Sequence, residues 1–585
     1  MLALKLGAPL ACALILALPA SAGAQAAGDL DGSFGPGGAA LVSVGDGGNA
    51  AGFDLLLQGD RPLAAGFAAF GGVNRFALVR RNADGSLDAG FAAGGAASPA
   101  IGSEAAANAL TIQPDGKIVL AGYATVGGVN RFALARFEAA GNLDTAAFDS
   151  PNGTTTATMG SDGDAAAEAV LASGGNLLAA GRAADAGAQV FALARFDDAG
   201  ALTPTGFGTA GRVLTPMGNG GDAAAHAMGV LPDGRIVLAG HASDSGAFKF
   251  ALAAYSAGGE LVLTGFGTAG KVLTPVGSNG NAVISDLAVL PDGRIVVVGS
   301  AQDGGVEKLA LARYTSAGEL DPSFGAGGIV LAAVGDGEEA GANAVGVQPD
   351  GKLVITGQVT DGTATRVLVA RFNADGSPDA GFGAGGAVMT GLGSENTAAG
   401  TGVAVQGNGA IVVGGHAGDA AETKFALARY LGAGPSAPVP APLLDTVRPR
   451  FLSASLTRRR FRVGRRATPR IAARRRAPVG TTFVFRLSEP ARVTIRMARA
   501  RPGVRVGRRC LAPRRGRRGR RCVRYVRAGT LTRRSARAGP GRVRFSGRIG
   551  RRALRLGRHR AILRAVDPAG NRSDPRTLFF RVVRR

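Results

Sequence analysis

The chain has 585 residues, 46% of them apolar, with 94 Gly and no Trp; this is enough apolar content for large cores and too much glycine for a protein of long helices. Its formal charge of +25 averages two opposite parts: residues 446–585 hold 45 Arg, no Lys and 3 acidic residues, a net of +42, while residues 1–445 hold 22 basic and 39 acidic residues, a net of −17. A length of this order predicts more than one domain, and the reversal of sign excludes a single electrostatic account of the whole chain.

The N-terminus reads as a secretory signal over residues 1–26. Lys5 precedes the apolar run 10–18, and Ala20-Ser21-Ala22 and Ala22-Gly23-Ala24 each fit a small-residue cleavage site. That run is too short to span a bilayer, and no other stretch approaches the roughly 20 apolar residues a transmembrane helix needs. Cys12 lies ahead of most of the apolar run, too early to carry a lipid anchor, and is expected to leave with the signal. The product is expected to be exported, secreted or held at the cell surface.

From residue 27 to 434 a repeat takes over. Its most regular anchor is an apolar strand, FALVR at 76, FALAR at 132, FALAR at 191, FALAA at 250, LALAR at 309, VLVAR at 367 and FALAR at 425. Successive starts differ by 56, 59, 59, 59, 58 and 58 residues, which makes seven copies. A tight turn precedes each at a fixed offset: PDGK at 114, PDGR at 232, PDGR at 291, PDGK at 349, and looser versions GDRP at 59, SGGN at 173 and GNGA at 407. Pro presets one turn position and Gly allows positive φ at another. Copies open on a punctuating segment such as LDGSFGPGG at 30, LDPSFGAGG at 320 or PDAGFGAGG at 378, followed by a short apolar strand such as Val272-Leu273.

One unit therefore holds four short strands: one after the Gly-rich turn, one before Pro-Asp-Gly, one after it, and the Ala-Leu-Ala-Arg strand. Four strands per repeat at this period predicts the blade of a seven-bladed β-propeller, with a β-solenoid as the alternative. Strands such as 236–239 and 250–253 are apolar on both faces, as a strand sandwiched between neighbouring sheets must be. The order LDPSFGAGG, strand, QPDGK or LPDGR, IVVVG, FALARY resembles the delta-60 repeat, a bacterial β-propeller repeat of exported proteins. The resemblance implies a fold and an exported context, and brings no catalytic residues with it. Copies one, three and seven depart from the Pro-Asp-Gly turn, and copies three to five lose part of the Leu-Asp-Pro opening.

Several stretches imitate chemical motifs. GFGTAG at 206 and 265 and GFGAGG at 381 match the dinucleotide fingerprint, but a strand follows where that fingerprint needs a helix, so a turn is expected. Residues 82–88 and 373–379 start like a calcium loop without the closing Glu, and an Asx-type turn is expected instead. The four histidines, His226, His241, His416 and His559, lack metal-ligand spacing; His226 and His241 share a blade and are within reach of each other, though exposed or satisfied rings are expected. Absence of Trp removes the Trp-bearing motifs of propeller enzymes and weakens a sugar-binding reading. Tyr255, Tyr314 and Tyr430 recur at one strand end and are expected to pack. No cofactor is expected.

Residues 435–445, PSAPVPAPLLD, form a Pro-rich linker. Beyond it, 446–585 alternates apolar residues with Arg over about seven strands, including a hairpin from 482–487 to 491–495, and predicts a small β-sandwich with one buried and one cationic face. RAILRAVDPAGNRS at 560 resembles the penultimate strand and turn of bacterial immunoglobulin-like modules, without their Cys-Trp-Cys pattern. Cys510 and Cys522 are natural disulfide partners after export, closing a hairpin loop that carries Arg514, Arg515, Arg517, Arg518, Arg520 and Arg521; such a closure contributes about 3 kcal/mol through the unfolded chain. These guanidinium groups are the candidate anion-binding residues.

The expected whole is all-β: a propeller followed by an immunoglobulin-like sandwich. Its expected function is that of an exported, non-catalytic binding or surface protein, whose Arg-rich domain contacts an anionic cell-envelope polymer or other polyanion while propeller loops meet a protein partner. The alternative is an exported propeller hydrolase with carboxylates near the central channel.

Overall fold

The computed structural model describes residues 25–278, 280–335, 338–432, 448–464, 480–488, 491–507, 509–515, 518–536, 539–550, 552–566 and 571–584. Residues 1–24 of the expected signal segment 1–26, and the expected linker 435–445, lie outside them. No α-helix occurs among the described residues, and none of their helices is long and apolar enough to cross a membrane. The chain divides into two compact units, Met1–Ser436 and Ala437–Arg585.

The first unit is a series of four-stranded antiparallel sheets. The fifth illustrates all of them, with strands Ala282–Val289, Ile295–Asp303, Val306–Tyr314 and Ile329–Ala332. Its first hairpin turns on Leu290-Pro291-Asp292-Gly293. The Arg294 amide reaches Asp292 Oδ1, the Gly293 amide donates to Leu290 O, and Gly293 takes φ +90°. A side chain at that angle would be strained, so the glycine of each Pro-Asp-Gly is a backbone requirement.

The sheets are out of phase with the sequence unit by one strand. The segment after each Gly-rich turn was expected to open its own copy, yet Ile329–Ala332 pairs with residues 309–312 of the preceding copy. The connection from the Ala-Leu-Ala-Arg strand is short and folds straight back, so antiparallel pairing with the strand just left is the nearest satisfaction for its backbone. The seventh copy has no successor. Its fourth strand is Ala39–Val42, from the beginning of the chain, paired with residues 425–428. Neighbouring sheets bury apolar clusters between them, such as Val297, Ala310 and Ala312 against Val237, Phe250 and Leu252. The last of these joins Val412, Phe425 and Leu427 of the seventh sheet to Leu55, Ala64 and Ala77 of the first, so the series returns on itself.

A second device links the sheets along their outer part. Arg313, the Arg of Ala-Leu-Ala-Arg, is buried; its Nε donates to Asp321 Oδ2 at 2.8 Å, its Nη1 donates to Ala374 O in the next copy, and its guanidinium lies 4.6 Å over the Phe324 ring. Arg80, Arg136, Arg371 and Arg429 repeat this with Asp88, Asp144, Asp379 and Asp31. Burial alone pushes the Asp144 carboxyl up, but Lys117 and Arg136 beside it hold it below its ordinary value. The clamp fails in two copies: Arg195 finds Thr203 instead of an Asp, and Ala254 stands in place of the arginine. Tyr255, Tyr314 and Tyr430 pack as expected, and each hydroxyl also meets a threonine, Thr215, Thr274 or Thr390.

The second unit has a two-stranded sheet of Arg548–Ile549 with Arg552–Ala553, and two main sheets around one core. Phe451–Leu456, Thr481–Leu487 and Gly539–Phe545 form the smaller, and Arg460–Phe461, Arg576–Val582, Gly557–Val566, Ala491–Val506 and Arg509–Leu511 follow one another in the larger, with Arg521–Ala536 also paired to Ala491–Val506. Phe483, Phe485 and Phe545 of one sheet meet Val493, Ile495, Leu563 and Phe580 of the other. The expected hairpin from 482–487 to 491–495 does not form: those strands lie in different sheets. Their alternating apolar residues face each other across the core, which buries more apolar surface than lying side by side.

Candidate functional site

In every sheet of the first unit, the register of the first strand against the second slips by one residue. The slips fall between Gly52 and Asp54, Ala107 and Ala109, Ala167 and Ala169, Ala225 and Ala227, Ile284 and Asp286, Ala342 and Ala344, and Gly400 and Gly402. A β-bulge of this kind leaves one residue without a cross-strand partner and re-aims its side chain. Those residues are Phe53, Asn108, Glu168, His226, Ser285, Asn343 and Thr401. Together with Val283 they line a single cavity of about 320 Å³, where the first strands converge.

Opposite each bulge the second strand carries glycine: Gly66, Gly122, Gly181, Gly240, Gly299, Gly357 and Gly415. A Cβ at any of these would sit 1.8–2.0 Å from a backbone oxygen of the bulged strand, so the glycine is what lets the bulge form. The residue after it varies from sheet to sheet, and three of these, Arg182, His241 and His416, are basic.

The bulge also joins sheets near the axis. Asp54 accepts from Leu110 N, Asn108 donates to Ala167 O, Asp286 accepts from Val345 N, Asn343 donates to Gly400 O, and Thr401 donates to Gly52 O, all at 2.8–3.0 Å. These clasps cover every junction except those following the third and fourth sheets. There the bulge residues are Glu168 and His226, and both turn to side chains instead. Glu168 pairs with Arg182 at 2.5 Å and accepts from Asn108 Nδ2 at 2.8 Å. His226 Nε2 lies 3.0 Å from His241 Nδ1, with the rings stacked and the His241 ring edge-on to Phe248. The third and fourth copies are also the two without the outer Arg–Asp clamp.

Burial pushes the Glu168 carboxyl up to about 7 against the pull of Arg182. Burial also pushes His226 down to about 3, helped by the nearby charges of His241 and Arg182, and His241 is lowered by burial and Arg182. Both rings are therefore neutral at neutral pH, and His226, the one of the two that lines the cavity, presents it a donor or an acceptor according to tautomer. Asp286 is raised to about 7 and Asp54 is also raised, each chiefly by burial.

The sequence placed His226 within reach of His241, and the two rings do satisfy each other; the rest of the site it did not place. Against the expectation of exposed or satisfied histidines, His416 is half-buried and His559 fully buried, and His416 Nδ1 and His559 Nε2 meet no hydrogen-bond partner among the described residues. The signal was the glycine repeated in the strand after each turn. The Asx-type turns are present, with Asp84 and Asp375 each accepting from the serine two residues on. Among the described residues no cluster of His, Cys, Asp and Glu is arranged to hold a metal ion.

In the second unit Cys510 and Cys522 form a disulfide, with Cα atoms 6.1 Å apart. They do not sit on two arms of one hairpin. Both strands pair with Ala491–Val506, and the bridge crosses Gly503, where a Cβ would lie 2.5 Å from the Cys510 sulfur. Arg514, Arg515, Arg518, Arg520 and Arg521 are exposed; Arg517 lies outside the described residues. The larger sheet adds more cations. Val493, Ile495 and Met497 point inward while Arg492 and Arg496 are exposed, and Arg558, Arg564 and Arg581 are exposed on the adjoining strands. Phe579 is exposed on the same sheet, and the Arg560 guanidinium lies 4.0 Å from the Tyr525 ring centroid. All ion pairs among the described residues fall in the first unit.

Residues 63–91, 113–146, 290–324 and 348–382 match a family described as a domain of unknown function, DUF5122, beta-propeller. The repeated sheets are thus those of a propeller repeat. No curated protein matches the chain. Among solved structures it is similar to a fungal alcohol oxidase of the AA5 family in complex with copper, at 12% identity and a TM-score of 0.38, over 93% of this chain and 99% of that one. It is similar also to Sqt1 from Chaetomium thermophilum, at 13% identity and a TM-score of 0.35, over 68% and 87%. The polysaccharide lyase Uly1 aligns at 11% identity and a TM-score of 0.37, over 65% and 90%.

Proposed function

We propose that this chain of propeller repeats is an exported, non-catalytic binding protein. Its seven sheets act as the blades of one propeller of the delta-60 type, and its immunoglobulin-like C-terminal module contacts an anionic polymer of the cell envelope. The observation that carries the reading is the arginine surface of the second unit, where exposed guanidinium groups line the disulfide loop and the outer face of the larger sheet with no carboxylate paired to them among the described residues. Burial and the charges of Arg501 and Arg555 hold the Arg499 guanidinium below its ordinary value, a mark of repulsion that a polyanion would relieve. Arginine suits the task, since its planar fork meets phosphate or carboxylate through two hydrogen bonds. The propeller loops are left to a protein partner.

The test is fractionation of cells expressing the full chain or a truncation lacking 446–585. Retention of the full chain on envelopes, lost on truncation and falling steeply with salt, supports the reading. Retention indifferent to both overturns it.

The alternative, an exported hydrolase, draws its support from Glu168, whose raised carboxyl beside the cavity is poised to donate a proton near neutral pH. Turnover of a hydrolase substrate panel, abolished by Glu168→Gln, would favour it; an inactive full-length protein removes it.

A further inference from the structure

We propose that the axial cavity of the propeller binds one neutral sugar ring, held chiefly by the third and fourth sheets. The inference is independent of the anionic-polymer reading, which concerns the other unit. It starts from the pattern of clasps. Three bulge side chains, Asn108, Asn343 and Thr401, join their sheet to the next, and beside Phe53 and Ser285 the adjoining Asp54 and Asp286 do so, whereas no such link starts at Glu168 or His226. The copies that carry them have also lost the outer clamp, through Thr203 and Ala254. Two sheets have therefore given up stabilising links, while placing at the axis the two bulge residues best equipped for recognition. Strain or lost stability that gathers at one place in a repeat is the mark of a site.

The chemistry of the lining selects the ligand. A cavity of about 320 Å³ stands at the small end of the range for ligand pockets, roughly 300–1,000 Å³, which suits one ring and not a buried oligosaccharide. Six of the eight lining residues carry polar groups, which both donate and accept: Asn108, Glu168, His226, Ser285, Asn343 and Thr401. An alcohol does the same, and vicinal hydroxyls match planar side chains such as Asn108 and Glu168, which are already hydrogen-bonded to each other. Phe53 supplies the apolar wall, braced by Phe67 with ring centroids 5.7 Å apart, against which the C–H face of a sugar can lie. An anion is disfavoured, because Arg182 is engaged by Glu168 and the Asp54 and Asp286 carboxyls lie beside the bulges. Phenylalanine thus takes the place of the tryptophan that the chain lacks.

The experiment is saturation-transfer difference NMR on the full chain at pH 7 with D-glucose, D-galactose, D-mannose and L-arabinose, each offered separately, and with D-glucuronate and D-glucosamine as charged counterparts. Transfer to the ring protons of at least one neutral sugar is expected. It should weaken at least about tenfold in Phe53→Ala and Glu168→Leu, and persist in Leu263→Ser, an exposed position remote from the cavity lining. Ser285→Leu, which fills the cavity without breaking a clasp, should also abolish transfer and serves if Glu168→Leu does not fold. Absence of transfer to all four neutral sugars overturns the proposal, as does transfer that survives Ser285→Leu. Binding confined to glucuronate or glucosamine also overturns it, since charge would then be the recognised feature.

Discussion

Glu168 shows how far one side chain can depart from its kind. Its carboxyl titrates near 7 in the fold, against 4.5 ordinarily. A carboxyl raised by folding binds a proton that the unfolded chain has released, so its contribution to stability is complete below pH 4.5 and is lost as the pH climbs through 7. Glu168→Gln has no such loss. The difference in stability between variant and wild type should therefore move in the variant's favour from pH 4.5 to 7, by on the order of 2–3 kcal/mol, and stay level beyond; unfolding midpoints across that window check it. None of this was legible in the sequence. The residue stands where Asn108 and Asn343 stand in other copies, and its burial comes from a bulge whose mark in the sequence is not at Glu168 itself but at the facing glycine, Gly181. The tyrosines were more readable, because Tyr255, Tyr314 and Tyr430 recur at an apolar strand end, although their threonine partners 40 residues upstream were not.

At the scale of the element, the bulge depends on the glycine across from it. Gly299 has extended backbone, yet a Cβ there would meet Val283 O at 1.9 Å, while Gly304 in the next turn has open space and φ +64°. Gly299→Ala should straighten the bulge or displace the strand, at a cost of about 3 kcal/mol or more. Gly304→Ala should cost about 1 kcal/mol, through backbone conformation alone. Thermal unfolding of the two variants side by side checks the ordering. Strands were the most legible feature of the chain, because apolar runs and Pro-Asp-Gly turns are local. Their grouping was not: the sequence repeat starts at the Leu-Asp-Pro segment, whereas pairing is decided by which strand the chain folds back upon. The outer clamp was also hidden, although its Arg and Asp stand eight residues apart in copy after copy. A motif that marks a turn gives no hint that its aspartate answers a buried guanidinium. The second unit misled in the same way, since two alternating segments in succession look like a hairpin whether they pair or face each other across a core.

At the scale of the whole molecule, the reversal of charge at residue 446 was plain in the sequence, and the chain divides into two compact units at Ser436. Closure of the first unit was not, because it is a contact between residues nearly four hundred positions apart. Replacing both Ala40 and Leu41 by proline removes ladder donors from the Ala39–Val42 strand whichever of them is bonded. Hydrogen exchange of the 425–428 amides should then accelerate by at least about tenfold, with the Ile295–Asp303 strand less affected. The same closure has a consequence in time. Synthesis proceeds at roughly 5–20 residues per second, so the Ala39–Val42 strand waits on the order of 20–80 s for Glu422–Tyr430 to be made. Throughout that interval the first sheet has no seventh sheet to cover it, and the waiting strand is an open edge to any other chain. Holding factors that bind nascent chains should therefore act on this protein early and long. The delay belongs to the connectivity and not to the contacts, so moving the 39–42 segment to follow Tyr430 would shorten it to seconds and leave the finished sheet unchanged.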